Sequence, residues 1–194
     1  MSWPPFAPLE NAYVRLEPLE EHHREKLRAA ADDMALWRWY PDRGDGPHFD
    51  TFFDLRLQLS RAGAWQAYTI IRRDDGQIVG QTCFLAIVPE HVRLEIGGTW
   101  YCAPAQGGAI NPAAKLLLLG HAFENGAERV EFKTDALNAR SRAAIAKLGA
   151  QQEGIFRSHM RMWDGHVRDT VYYSLLRAEW PEARARLQER LECR

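Results

Sequence analysis

Residues Gln106, Gly107, Gly108 and Ala109 make a short Gly-containing loop that leads through Ile110 and Asn111 into a helix-forming segment. A helix start leaves several backbone N–H groups without intrahelical partners and carries the positive end of the helix dipole, so this junction offers an anion site. An ordinary strand-loop-helix connection has the same composition, and both readings stay open. Gly97-Gly98 interrupts the strand just before the loop. Paired glycines inside a strand mark a bulge or a close approach by another backbone or a ligand. Glu95 lies on that strand as a carboxylate for chemistry or as one half of an ion pair, with Arg93 or another base as its partner. Asn138 and Ser141 form Asn-x-x-Ser where a later helix begins, and Asn138 suits the N-cap there. Arg140 and Arg142 flank that start, as phosphate ligands or as a solvated helix face. The histidines at 22, 23, 159 and 166 lack metal-ligand spacing, and no metal is expected. No Gly-x-Ser-x-Gly elbow or Cys/His arrangement stands out, so no covalent nucleophile is indicated.

These residues need elements to hold them. Alternation predicts strands at 13–16, 65–72, 78–88, 92–102, 129–134, 152–162 and 168–176. Helices are predicted at 20–31, 50–62, 113–124, 139–148 and 179–191. Asp50 serves as N-cap for the second helix. Asn111 serves as N-cap for the third, with Pro112 at its first helical position, where a missing N–H costs nothing. Gly63, Gly126 and Gly149 stop helices, and Asp74-Asp75-Gly76 and Trp163-Asp164-Gly165-His166 are hairpin turns. Residues 1–11 read as an irregular, Pro-rich lead-in. This order describes an α/β protein with a mixed, mostly antiparallel sheet flanked by helices. At 194 residues it fits one domain, 1–194, ending in an extra polar helix at 179–191. The formal charge of −1 gives no reason to expect nucleic-acid binding, and no apolar run is long enough for a membrane. Three cysteines far apart in sequence and the lack of a signal-type N-terminus point to reduced thiols in the cytoplasm.

The blocks EIGGTWYCAPAQGG through GHAFE, LNARSRAAIAKLGAQQEGIFRSHM and DGHVRDTVYYSLLRAEWP, with the N-terminal VRLEPL, span nearly the whole chain. They resemble the GNAT acyltransferases, and more closely the RimJ/RimL-like branch that includes protein N-terminal acetyltransferases. The resemblance implies a sheet splayed between the fourth and fifth predicted strands. It also implies acetyl-CoA as donor, with its pyrophosphate on backbone N–H groups at the helix start. The family loop runs Gln or Arg, two residues, Gly, one residue, then Gly or Ala. Gln106 matches, whereas Ala109 and Asn111 stand at the two small positions. A methyl at Ala109 is expected to restrict positive φ and to crowd the phosphates. The Asn111 side chain is expected to compete with phosphate for helix N–H groups.

Acyl transfer from a thioester to an amine requires a deprotonated amine, a polarised carbonyl, donors for the oxyanion and a proton for the leaving thiolate. On the resemblance, Glu95 becomes the candidate base, and the backbone at Gly98, Trp100 and Tyr101 polarises the carbonyl. Gln106, Gly107, Gly108, Ala109, Ile110 and Asn111 then hold the pyrophosphate, with Arg142 as a further phosphate ligand. Asn138 meets the pantetheine arm, and Ser141 protonates the thiolate. Tyr172 and Tyr173 are reserve acids, one of which alternation assigns to the core. The acceptor amine is expected to enter between loop 39–50 and the last hairpin, with His159 and Asp169 at its border. It is a protein N-terminus or else a small-molecule amine such as a polyamine, antibiotic or amino acid. An α-amine with a pKa of about 8 needs less help from a base than a lysine at about 10.4. A non-catalytic acyl-CoA-binding protein is the alternative from outside enzymes. Apolar strand edges and the last helix permit a homodimer without demanding one.

Overall fold

The computed structural model describes residues 2–193. Its strands are β1 (Leu9–Glu10), β2 (Val14–Pro18), β3 (Gln66–Arg72), β4 (Ile78–Val88), β5 (Arg93–Tyr101), β6 (Arg129–Asp135), β7 (Gln151–Arg161) and β8 (Val167–Leu176). Its helices are α1 (Arg24–Ala31), α2 (Phe49–Arg61), α3 (Ile110–Glu124), α4 (Ala139–Ala146) and α5 (Trp180–Glu192). The strands form one sheet in the order β1-β2-β3-β4-β5-β6-β8-β7. Every neighbouring pair is antiparallel except β5 and β6. The mixed, mostly antiparallel α/β sheet expected from sequence is therefore present.

Two apolar layers cover the sheet. On one face α3 contributes Ala113, Ala114, Leu118, Leu119, Ala122 and Phe123 to a core shared with Leu94, Ile96, Val130 and Phe132. α3 is apolar nearly all round because α5 covers its outer side with Trp180, Ala183, Leu187 and Leu191. Each fully buried leucine in this layer contributes about 1.5–3 kcal/mol. On the other face, Leu27 and Ala31 of α1 and Phe49, Phe52, Phe53 and Leu57 of α2 pack around Trp37, against Ala67, Cys83 and Trp100 of the sheet.

Three local expectations are corrected. The lead-in is not wholly irregular, because Leu9 and Glu10 pair with Leu16 and Arg15. α2 begins at Phe49 with His48 at its cap. Asp50 sits inside the first turn and is ion-paired to Arg24 and Arg28, so its oxygens serve those guanidiniums. α3 begins at Ile110, and Ala109 rather than Asn111 occupies the cap. Pro112 is accommodated because the first helical bond runs from the Ala113 N–H to the Ala109 carbonyl.

The feature that matters most for function is where β5 and β6 part. Their parallel register covers Arg93↔Arg129, Leu94↔Val130 and Glu95↔Glu131. Beyond Glu95, among the described residues, no β6 partner is in register, and the sheet opens between the predicted fourth and fifth strands, as expected. On its other side β5 stays paired with β4, through a bulge. Gln81 pairs with Trp100 and Cys83 with Gly97, so Thr82 alone faces Gly98 and Thr99.

Candidate active site

The cleft is built from the bulge outward. Gly98 has φ +54°, a conformation that L side chains rarely adopt, and a Cβ there would lie 3.2 Å from the Cys83 Sγ. At Gly97 a Cβ would meet Leu85 and, at 2.9 Å, the Oε1 of Glu95. The glycine pair thus serves two ends, since one residue turns the strand and the other makes room for the Glu95 carboxylate. Below the bulge, Lys115 reaches up from α3 and donates to the Thr99 Oγ1 at 2.9 Å, and Thr99 meets the Thr82 hydroxyl at 2.7 Å. Burial pushes the Lys115 ammonium down to about 7.

The loop that follows differs from expectation at both of its departing positions. Positive φ falls at Gly107, +77°, whereas Ala109 is right-handed helical with φ −74°. The Ala109 methyl therefore meets no conformational conflict. Asn111 does not compete for helix N–H groups either, since its Oδ1 accepts from the Tyr101 hydroxyl at 3.1 Å. Gln106 donates to the Tyr101 carbonyl at 2.7 Å and accepts from Arg140 at 2.6 Å. That second bond joins the α3 side of the cleft to the start of α4. There Asn138 caps α4 by accepting from the Ser141 N–H at 3.0 Å. Arg142 points elsewhere, donating to Tyr173 Oη, the Ala136 carbonyl and Gln152. Trp100 is a core side chain packed on Trp37.

The opposite face of the same strands carries charge. Glu95 is buried and ion-paired with Lys133 at 2.8 Å. Burial raises its carboxyl above the usual range, and the Lys133 charge opposes that rise. The ammonium of Lys133 also lies 4.8 Å from the centre of the Tyr172 ring. Asp135 is buried, accepts from the Leu137 N–H at 2.8 Å and pairs with His166 at 2.9 Å. Arg168 completes the row. Val171 and Tyr173 of β8 face the α3 core, so alternation puts Arg168, Thr170 and Tyr172 on the face of Lys133 and Asp135. Tyr173 is thus the core tyrosine and Tyr172 the groove tyrosine.

Loop 39–50 and the last hairpin meet over this groove. The Trp163 indole donates to the Trp37 carbonyl at 2.9 Å, and Arg43 lies over the Trp163 ring. Trp39 approaches the edge of His166 at 6.4 Å between ring centres. His159 and Asp169 are engaged within the hairpin itself. His159 bonds Thr170 and Asp169 accepts from the Ser158 N–H, both at an irregularity in the β7–β8 pairing. Among the described residues, Glu17, His22 and His23 are near enough together for a metal, but both ring nitrogens of His23 are engaged, with Glu17 and the Glu20 N–H. Lys115, Lys133, Asp135 and Arg168 are not singled out by sequence reasoning. The alternation of Glu131, Lys133 and Asp135 is the available signal for two of them.

The fold that holds this cleft is shared with acetyltransferases of known structure. Residues 14–151 match the model of the acetyltransferase (GNAT) domain. The chain is 33% identical over 178 residues to YdaF of Bacillus subtilis (strain 168), provisionally named a ribosomal N-acetyltransferase; the match covers 88% of this chain and 94% of that one. A crystal structure of a provisionally named acetyltransferase from T. thermophilus superposes with TM-score 0.84 at 37% identity, covering 95% of this chain and 96% of the other. Mycobacterium smegmatis RimJ, solved with CoA-disulfide, shares the fold with TM-score 0.78 at 24% identity, over 94% and 92% of the two chains. The chain belongs to the GNAT family of acetyltransferases. Among the described residues no helix is long and apolar enough to cross a membrane.

Proposed function

We propose that the protein moves the acetyl group of acetyl-CoA to a primary amine by direct attack, and that the amine is a protein N-terminus. The observation that carries this reading is the opening of the sheet after Glu95 between two helix starts, with the bulge at Gly98 on its wall. The residues fit such a donor. Gly107 turns the loop so that backbone at 108–111 leads into α3, and a helix start favours phosphate oxygens. Arg140, which reaches this loop, is the guanidinium for the pyrophosphate in this reading, because Arg142 is engaged with β8. Asn138 lines the arm of the donor. The strand N–H groups from Gly98 to Tyr101 polarise the thioester carbonyl.

The groove face supplies the acceptor side. Glu95 takes the ammonium proton, directly or through water, and Lys133 keeps that carboxylate ionised and in place. The amine nitrogen adds to the carbonyl carbon, the C–S bond breaks as the tetrahedral oxyanion collapses, and Ser141 relays to the departing sulfur the second proton that the nitrogen gives up, so that Ser141 ends as a hydroxyl. Tyr101 is unsuited to that step, because its buried hydroxyl is committed to Asn111 and burial raises its pKa. A ribosomal-protein N-terminus is the favoured acceptor, on the name of the Bacillus relative.

Titration calorimetry with acetyl-CoA, followed by thiol release with N-terminal peptides and with small amines, tests both halves. Micromolar donor binding and transfer to peptides are expected. Transfer only to polyamines or antibiotics would replace the acceptor, and donor binding without any transfer would leave an acyl-CoA-binding protein.

A further inference from the structure

Among the described residues, Arg168 is the one charged side chain of the groove without a bonded partner. It is 7% exposed. Its guanidinium makes no hydrogen bond or ion pair with a described residue, and its Nε is buried without an acceptor. The acids near it are occupied. Glu95 is held by Lys133, and Asp135 by His166 and the Leu137 N–H. In the covering loop, Asp42 is held by Arg56 and Asp45 by Arg43. Glu95 and Asp135 act on Arg168 through space, without bonding it. The Nε of Arg168 is buried without a partner, and a carboxylate from outside would meet the guanidinium with two parallel bonds.

We infer that Arg168 is a specificity-determining residue that binds a carboxylate carried by the same molecule as the acceptor amine. The inference rests on the acetyltransferase reading for the identity of the amine. The bonding pattern in the groove favours it, since Glu95 is taken by Lys133 and Asp135 by His166 and the Leu137 N–H, while Arg168 feels both acids through space and bonds neither. Two sources supply such a group: an acidic side chain on the first residue of a peptide, or the α-carboxylate of a free amino acid.

Two matched probe pairs separate them: Asp-Ala-Ala-amide against Asn-Ala-Ala-amide, and alanine against alaninamide. Each is titrated calorimetrically into wild type and Arg168→Gln, and each is assayed with acetyl-CoA by thiol release. In one pair the carboxylate member is expected to bind about tenfold tighter to wild type, with the advantage abolished in Arg168→Gln. The loss should appear in KM with kcat little changed, and Arg168→Lys should restore part of it. Arg168→Gln should melt no lower than wild type, because it removes an unpaired buried charge. The inference is overturned if neither pair discriminates, if discrimination survives Arg168→Gln, or if that variant melts several degrees lower. If Arg168→Gln does not fold, failure of Arg168→Lys to discriminate differently from wild type overturns it equally. Arg168-dependent binding without transfer to any probe would uphold this inference and count against the transferase reading alone.

Discussion

Lys115 and Arg168 are both buried basic side chains, and they lie on opposite faces of one sheet. Each is 7% exposed. Lys115 is bonded to Thr99 and, through it, linked to Thr82, so its charge has become part of the framework of the bulge. Arg168 has neighbours but, among the described residues, no bonded partner. The difference teaches how to read a buried charge. One that reaches from a helix and is tied into a strand holds a shape, and one left open on a groove has bonding capacity to offer.

The comparison can be broken most forcefully at Lys115. Its pKa falls from 10.5 in the unfolded chain to about 7 in the fold, so between those values the unfolded chain binds more protons. Stability should therefore rise with pH across that window, and the full cost of burying Lys115 applies below it. Lys115→Met should stabilise the fold by on the order of 3–5 kcal/mol at pH 6, with the gain shrinking toward pH 10. Urea unfolding at both pH values measures this, and an equal gain at each would show that Lys115 is not the titrating group. Ser141→Ala asks whether the cleft can lose chemistry without losing framework. Turnover should fall by about 10²-fold while acetyl-CoA affinity holds. Unchanged turnover would remove Ser141 from the reaction.

Gly98→Ala sharpens the framework side, because it strains the bulge that Lys115 braces. The left-handed backbone should cost about 1–2 kcal/mol, and crowding of Cys83 adds to it. Chemical denaturation of Gly98→Ala beside the Gly98→Ala/Cys83→Ala double variant separates the two costs. The smallest effect is expected at Asn111→Gly. It strips the Tyr101 hydroxyl of its acceptor and should cost about 1 kcal/mol without improving acetyl-CoA affinity. Tighter donor binding in that variant would show that the Asn111 side chain does obstruct the loop.

Much of the fold is legible in the sequence because its signals are local. β4 spans 78–88, as alternation and the flanking turns predict, and α4 starts at Ala139 after the Asn138 cap. The start of α3 misleads because Asn and Pro together imitate a cap and first turn. Tyr101, ten residues earlier, claims the Asn111 oxygen instead. The cleft side of the site is legible through its loop and glycines. The groove side is not, because Lys133 and Arg168 are ordinary strand residues until β5, β6 and β8 are laid side by side. An ion pair at Glu95 is among the expectations, but its partner lies across a parallel strand crossing that spacing alone does not reveal.

β5 has one further property. Up to Glu95 it is an interior strand, bonded on both sides, and from there to Tyr101 it becomes an edge. Open edges ordinarily invite a stranger's strand and lead to aggregation. This one is short, interrupted by its bulge, and lies where β5 and β6 part. It is an open edge that lies inside the sheet rather than at its margin.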